Sequence, residues 1–319
     1  MANGQQYGKM KYMNGHTHPI TLAIARISDI FSKLGFDTVD GPELEDEWHN
    51  FDALNVPKNH PSRDMQDTFW LKPFGTNGSP DQAKLGLGTE KKGIDKFGEP
   101  TGYVLRTHTS NMQIRTMEKY VAEGREFPIA ICCPGKVFRN EATDATHEAQ
   151  FHQIEMLYVN KDASLSMMIG VIEKFFSEFF GTDLVIRLRS SYFPFVEPGN
   201  EIDMQCFKCK GSGLIASGSN DETPNQVGSL GLNATGNNVA SPGHLKGGLG
   251  CNICKQTGWI ELGGAGMVHP KVLEAGGVNP REYRGYAFGC GIDRMVMLKY
   301  GVDDVRLLYN GDLRVVNQF

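Results

Sequence analysis

Apolar side chains recur at helical spacing over residues 19–34, at Ile20, Ile24, Ile27, Phe31 and Leu34. Pro19 suits the first turn and Gly35 the stop, so the stretch predicts an amphipathic helix. A strand over Phe36–Asp40 and then Gly41-Pro42 follow it. The same period returns over about 162–180, at Leu165, Met168, Ile169, Ile172, Phe176 and Phe179, with Gly181 closing the helix. Residues 104–107, 136–141, 150–158 and 189–197 read instead as strands. In the last of these, Phe193, Phe195 and Glu197 fall on one face and Pro194 and Val196 on the other. Two rings beside a carboxylate describe a pocket for an apolar ring with an acid or a metal nearby; a core strand with two buried phenylalanines is the plainer reading. Gly285, Gly289 and Gly291 strip side chains from another strand, which weakens it unless a nucleotide or a packed helix must approach closely. Residues 72–101, rich in Gly, Pro, Lys and Asp, predict an exposed hairpin or loop.

Composition narrows the class. A chain of 319 residues with 40% hydrophobic content can bury a large core. No apolar run approaches the length of about 18 that spans a bilayer, and the first residues carry no apolar signal region, so a cytoplasmic protein without membrane contact is expected. The 32 basic residues are outnumbered by 37 acidic ones, for a net charge of −5. A long grip on a nucleic acid calls for a basic stripe, and none is present. Any such contact is therefore confined to the mouth of a site or supplied by another chain.

Three stretches carry the chemistry. Val137-Phe138-Arg139-Asn140-Glu141, a loop holding Thr146-His147-Glu148, and a returning Phe151-His152-Gln153-Ile154-Glu155 resemble motif 2 of the class II aminoacyl-tRNA synthetases. The glycine-alternating Gly285–Gly291 followed by Ile292-Asp293-Arg294 resembles their motif 3, and the helix, strand and proline of 19–42 their motif 1. Thr107-His108-Thr109-Ser110, Tyr192-Phe193-Pro194-Phe195 and Gly264-Ala265-Gly266-Met267-Val268-His269-Pro270 narrow the likeness. From about His18 to Phe319 the chain is similar to the α subunits of bacterial phenylalanyl-tRNA synthetases.

That resemblance implies an α+β catalytic domain, a mostly antiparallel sheet flanked by helices. It implies activation of L-phenylalanine with ATP and Mg²⁺ and transfer to tRNA(Phe), with a β subunit completing an α2β2 enzyme. Arg139 would grip the α-phosphate, which guanidinium geometry suits. His147 would contact phosphate, Glu141 the adenine edge, and Phe151 and Arg294 the two adenine faces, Arg294 also reaching the γ-phosphate. Phe193 and Phe195 would hold the substrate ring, and Ala287 would leave room at its far end. His108, Ser110, Gln153 and Glu155 would hold the ammonium and carboxylate, with Trp70 closing the entrance. Glu197 would bind Mg²⁺. Where the family has Glu before the motif 3 arginine, this chain has Asp293, whose reach is one methylene shorter. No heptad region precedes His18, so the family's N-terminal coiled coil is not expected here. Alternatives are a class II relative for another amino acid and a non-catalytic binding or regulatory module; the two phenylalanines oppose an anionic substrate, and Arg139 has no use in a pure binder.

The last signal stands apart from those motifs. Cys206-Phe-Lys-Cys209-Lys-Gly-Ser-Gly213 and Cys251-Asn-Ile-Cys254-Lys-Gln-Thr-Gly258 are two similar knuckles whose cysteine pairs are separated by 41 residues. Four thiolates from two such turns make a closed tetrahedral Zn²⁺ site. The chain between them is rich in Gly, Ser and Asn without an aromatic residue, so zinc is expected to staple the base of a loop that cannot order itself. Cys132, Cys133 and Cys290 sit in apolar strands and read as small buried residues. The organisation expected is a polar tail over 1–17, a catalytic domain over 18–204 and 259–319, and an inserted knuckle pair with its loop over 205–258.

Overall fold

The computed structural model describes residues 16–64, 67–71, 93–94, 100–215 and 249–319. Nearly all of the 1–17 tail, most of the 72–101 loop and residues 216–248 of the insertion lie outside the described residues. In chain order the elements that build the site are α1 (Pro19–Lys33), β1 (Asp37–Thr38), β2 (Leu44–Asp46), β3 (Tyr103–Leu105), α2 (Asn111–Glu123), β4 (Ile129–Phe138), β5 (Gln150–Asn160) and α3 (Leu165–Phe180). There follow β6 (Ile186–Ser190), β7 (Val196–Gln205), β8 (Leu214–Ile215), β9 (Leu249–Gly250), β10 (Trp259–Val268), α4 (Pro270–Ala275), β11 (Arg284–Gly291) and α5 (Ile292–Tyr300). Among the described residues, seven strands form one sheet in the order β1-β4-β5-β11-β10-β7-β6. Every pairing in it is antiparallel except β1 with β4.

The two faces of this sheet are covered differently. On one, Ile154 and Met156 of β5 and Tyr286 and Phe288 of β11 meet α1 and α3 through Ile27, Phe31, Ile172, Phe175, Phe176 and Phe179. Burying each such aliphatic or aromatic side chain contributes about 1.5–3 kcal/mol, so this cluster holds the helices on the sheet. On the other, Leu157, Val159 and Ala287 meet α2 and α4 through Ile114, Met117, Val272 and Leu273. That second layer covers only part of its face, and the open remainder is the site.

Local chemistry places the helices as the sequence suggests. Pro19 opens α1, and the His18 ring accepts a hydrogen bond from the Ile20 amide. Ser164 caps α3, which ends at Gly181 in the left-handed region at φ 76°. Helix α2 was not among the elements expected. Its buried Met112, Ile114, Met117 and Tyr120 lie among equally buried polar side chains, Asn111, Gln113 and Thr116, which mask the apolar stripe. Two strand expectations need correction. Arg139 and Glu141 do not extend β4, which ends at Phe138. Residues 189–197 are not one strand: β6 stops at Ser190, the chain turns through Phe193–Val196, and β7 starts at Val196.

Candidate active site

A cavity of 710 Å³ opens on the uncovered face. Its walls include Arg139 and Glu141 beyond β4, Gln153 and Glu155 on β5, Ala287, Gly289 and Gly291 on β11, and His108 and Ser110 before α2. The turn Phe193-Pro194-Phe195 closes one side. Alternation along β5 puts Phe151, Gln153 and Glu155 on the sheet face opposite the helical core, as expected.

The turn is held from several sides. Val196 donates its amide to the Phe193 carbonyl at 3.4 Å, His269 to that of Phe195 at 3.0 Å, and Asn55 Nδ2 to that of Pro194 at 2.6 Å. The two rings stack at 5.8 Å with 24° between planes. Gly264 lies beneath them; a Cβ there would stand 3.0 Å from the Phe193 ring. The turn brings Phe193 and Phe195 together but turns Glu197 away. Its side chain is 78% exposed and faces His269 at 3.8 Å, so the expected Mg²⁺ ligand lies outside the cavity.

Glu155 is the most perturbed acid in the site. Burial pushes its carboxyl up to about 7, opposed by Ser110, Arg139 and Gln113, whose Nε2 donates to Oε2 at 3.1 Å. Space for it comes from β11: a Cβ at Gly289 would lie 2.5 Å from Glu155 Oε1. Close approach is thus the reason for this glycine, but a carboxylate makes the approach, not a nucleotide or a helix. Burial, and then Arg139, hold His108 down to about 4, so its ring is neutral. His108 Nδ1 and Gln153 Oε1 are buried and have no partner. Buried polar atoms are nearly always paired, so two orphans aimed at one cavity mark a place for a polar ligand.

Arg139 lines the cavity, while Phe151, His147, Arg294, Trp70 and Asp293 stand outside its walls. The Arg139 guanidinium sits 5.1 Å from the centre of the Phe151 ring, while its Nε donates to the Thr107 carbonyl at 3.4 Å. His147 is exposed and its ring is 3.0 Å from Asp144. Arg294 is exposed at the start of α5. Trp70 stacks behind Phe51 at 6.0 Å and donates Nε1 to the Arg63 carbonyl, so Phe51, not Trp70, lines the cavity. Asp293 does not face the cavity either: Tyr309 donates its hydroxyl to Oδ1, and the His152 amide donates to Oδ2 at 2.7 Å.

Two carboxylates that the sequence reading missed line the mouth: Glu201 on β7 and Glu261 on β10. Arg189 of β6 pairs with Glu201 and lies 3.8 Å from Glu261. Their signal was positional, since Glu201 and Glu261 occupy alternating-face positions on strands flanking the insertion. The four knuckle thiols are also brought together. Their sulfurs all lie within 4.8 Å of one another, with Cys206–Cys251 at 3.8 Å and Cys209–Cys254 at 3.6 Å. They are at most 6% exposed and belong to the main core cluster. Cys132, Cys133 and Cys290 are buried and free. Glu45, Asp46 and His49 also cluster, but both His49 nitrogens are taken by Asp46 and Glu118, and Glu45 by Arg115 and Asn111.

Residues 5–319 match the family described as tRNA synthetases class II core domain (F). The phenylalanine–tRNA ligase alpha subunit of Staphylococcus epidermidis is 43% identical over 305 residues, covering 96% of this chain and 67% of that one. The chain belongs to this family. Its class II relatives include the alpha subunits of Halalkalibacterium halodurans, 42% identical with 96% and 70% covered, and Bacillus subtilis, 41% identical with 96% and 69% covered. A pyrrolysyl-tRNA synthetase from Desulfitobacterium hafniense aligns with a TM-score of 0.55 at 12% identity, covering 92% of this chain and 74% of that one. That likeness is one of fold. Among the described residues, no helix of this class II synthetase chain is long and apolar enough to cross a membrane.

Proposed function

We propose that the chain is the catalytic α subunit of a phenylalanine–tRNA ligase, which activates L-phenylalanine with ATP and passes it to tRNA(Phe). One observation carries the choice of amino acid. A single cavity holds the stacked Phe193 and Phe195 rings together with Glu155 and the orphaned His108 Nδ1 and Gln153 Oε1. An aromatic amino acid offers a ring for the first and an ammonium and carboxylate for the rest.

In the first step a carboxylate oxygen of phenylalanine attacks the α-phosphorus of ATP, an O–P bond forms, and pyrophosphate leaves. The chemistry needs positioning and charge neutralisation more than a protein nucleophile. Glu155, Ser110 and the accepting Gln153 Oε1 orient the ammonium, His108 stands at the carboxylate, and Ala287 leaves room for the ring. Arg139 neutralises charge growing at the α-phosphate. Phe151 and Arg294 hold the adenine between them, Glu141 reads its edge, and His147 meets phosphate. In the second step a ribose hydroxyl of the tRNA end attacks the acyl carbon and AMP leaves. A class II synthetase uses Mg²⁺ with ATP, and hard carboxylate oxygens suit that ion. Glu197, or Glu201 and Glu261 at the mouth once released from Arg189, would hold it and offset phosphate charge. The thiols of Cys206, Cys209, Cys251 and Cys254 would hold Zn²⁺. Partners under this reading are a β subunit in an α2β2 assembly, and tRNA(Phe), in a cytoplasmic setting.

The test is amino-acid-dependent ATP–pyrophosphate exchange by the chain purified with its partner. Arg139→Ala should slow exchange by about 10²–10³-fold with phenylalanine binding retained. Exchange as fast as the parent's would remove Arg139 from the reaction.

A further inference from the structure

The two knuckles repeat each other bond for bond. The Gly213 and Gly258 amides donate to Sγ of Cys209 and Cys254 at 3.3 and 3.2 Å. The Ser212 and Thr257 hydroxyls donate to the Cys209 and Cys254 carbonyls at 2.7 and 2.6 Å. The halves also exchange bonds, Cys206 N–H to the Gly258 carbonyl and Cys251 N–H to the Gly213 carbonyl, both at 2.9 Å. A Cβ on Gly213 would lie 2.2 Å from the Gln256 carbonyl oxygen, and one on Gly258 2.2 Å from that of Gly211. Only glycine fits where the halves cross. Zinc–sulfur bonds of about 2.3 Å in a tetrahedron set sulfurs about 3.8 Å apart, which matches the two cross-knuckle pairs.

The pair sits where β7 ends and β10 begins. Cys206 follows Gln205, Gly258 precedes Trp259, and those two strand residues form the last rung of the ladder. Further along, Glu261 faces Asp203, the register shifts by one between Glu261 and Gly263, and Gly264 faces Glu201. On one face Ile202, Met204, Ile260 and Leu262 pack in the same cluster as the four cysteines. On the other, Arg187 lies 4.1 Å from the Trp259 ring and donates to Asp203 at 3.0 Å. Register is weakly specified in glycine-rich strands, and a slip of one residue moves every side chain to the opposite face. β10 carries Gly263, Gly264 and Gly266, and the insertion separates it in sequence from β7. The buried Ile260 and Leu262 and the pairing with β11 specify this register along the strand, and the knuckle pair closes the ladder at its end.

We infer that a zinc tetrathiolate at Cys206, Cys209, Cys251 and Cys254 is the register clamp of β7 on β10, and through it positions Glu201 and Glu261 at the mouth. The role of those two carboxylates toward Mg²⁺ and ATP rests on the function proposed above; the clamp itself does not. Glu201 and Glu261 touch the ligand under that reading, whereas the cysteines act through them as positioning residues.

The experiment takes the full chain with its partner, purified without chelators. One zinc per chain is expected, and Co²⁺ in its place should show the visible absorption of a tetrahedral thiolate site. Stripping the ion under reducing conditions should speed amide exchange in 196–205 and 259–268 by about tenfold or more and leave 129–138 and 150–160 unchanged. It should also raise the Mg²⁺ concentration that half-saturates pyrophosphate exchange, and returned zinc should restore both. Cys209→Ser, which keeps three thiols, should show the same pattern in weaker form should the stripped protein unfold. Protein without bound metal and without the cobalt band refutes the site. Faster exchange confined to 206–258, with the Mg²⁺ dependence unmoved, refutes the clamp. Zinc-loaded protein with the expected exchange pattern but no phenylalanine-dependent activity refutes the proposed function and leaves the clamp standing.

Discussion

Glu155 turns burial into a pH signal. Its carboxyl, raised to about 7 by burial, stays protonated in the folded chain at pH values where the unfolded chain, near 4.5, has ionised. Folding therefore takes up a proton between those values. The group's contribution to stability is fully present below about 4.5 and is lost as pH rises through 7. Substrate binding runs the other way, since an ammonium favours the ionised form. Phenylalanine binding at pH 6 should release up to about one proton, and at pH 8.5 almost none. Calorimetry in buffers of different ionisation heat reads this directly, and heats independent of buffer at pH 6 would contradict it. Glu155→Gln should abolish the release and weaken binding by about 1.5–3 kcal/mol. At the other end of the ligand, Phe195→Ala should weaken phenylalanine binding by about 2–4 kcal/mol with far less effect on ATP. Equal losses in titrations of the two ligands would make Phe195 a core residue. Glu155 was legible because alternation alone aims it with Gln153 at one face. Glu197 does not share a face with Phe193 and Phe195, because the chain turns at Pro194, whose ring favours a turn, where alternation alone runs straight on. Glu201 and Glu261 were passed over because alternation alone singles out no position, and Arg189, which draws them together, is a neighbour only in space.

Among the elements, α5 depends on a bracket that the motif pattern does not show. Asp293 accepts from the Tyr309 hydroxyl and the His152 amide, and His152 Nδ1 lies 3.0 Å from the same hydroxyl. Burial, and then Lys136, hold His152 down to about 4, so its ring is neutral and Nδ1–H can donate to the Tyr309 oxygen. The bracket ties β5, α5 and the C-terminal segment together. It sits beside Phe151 and Gln153 on one strand and Arg294 on the helix. Tyr309→Phe removes the only hydroxyl in it and leaves the Asp293 Oδ1 acceptor and the His152 Nδ1–H donor unmet, a loss of about 1–3 kcal/mol. Chemical denaturation should show that loss, and KM for ATP should rise more than KM for phenylalanine. An unchanged midpoint, or equal rises in both constants, would reduce the bracket to ordinary packing. The shorter reach of aspartate, an open question from sequence, is thus resolved inward, toward Tyr309. The long helices α1 and α3 were readable because their apolar stripes are clean. Helix α2 was not, because the buried polar side chains beside its apolar residues interrupt the pattern.

At the scale of the whole molecule, the catalytic sheet was legible as a family pattern, while its strand order was not, since β11 enters between β5 and β10 only through long-range pairing. The insertion read as a zinc-stapled loop, while the burial of its thiols in the main core is hidden from sequence. Charge is the remaining global property, and it bears on tRNA. With 37 acidic against 32 basic residues, and carboxylates at the cavity mouth, the chain has little surplus charge to neutralise a phosphate backbone. Each phosphate neutralised adds close to one unit to the slope of log affinity against log salt. The chain purified alone should therefore bind tRNA(Phe) weakly, with a slope equivalent to about two phosphates or fewer. The chain purified with its β subunit should bind more tightly and show a slope of about five or more. Filter binding or fluorescence anisotropy across a salt series at fixed pH would give both slopes. A steep slope for the chain alone would mean that a basic surface exists on it after all. Equal, shallow slopes for both forms would mean that the β subunit is not the source of the missing positive charge, and that recognition rests on contacts to bases and sugar instead.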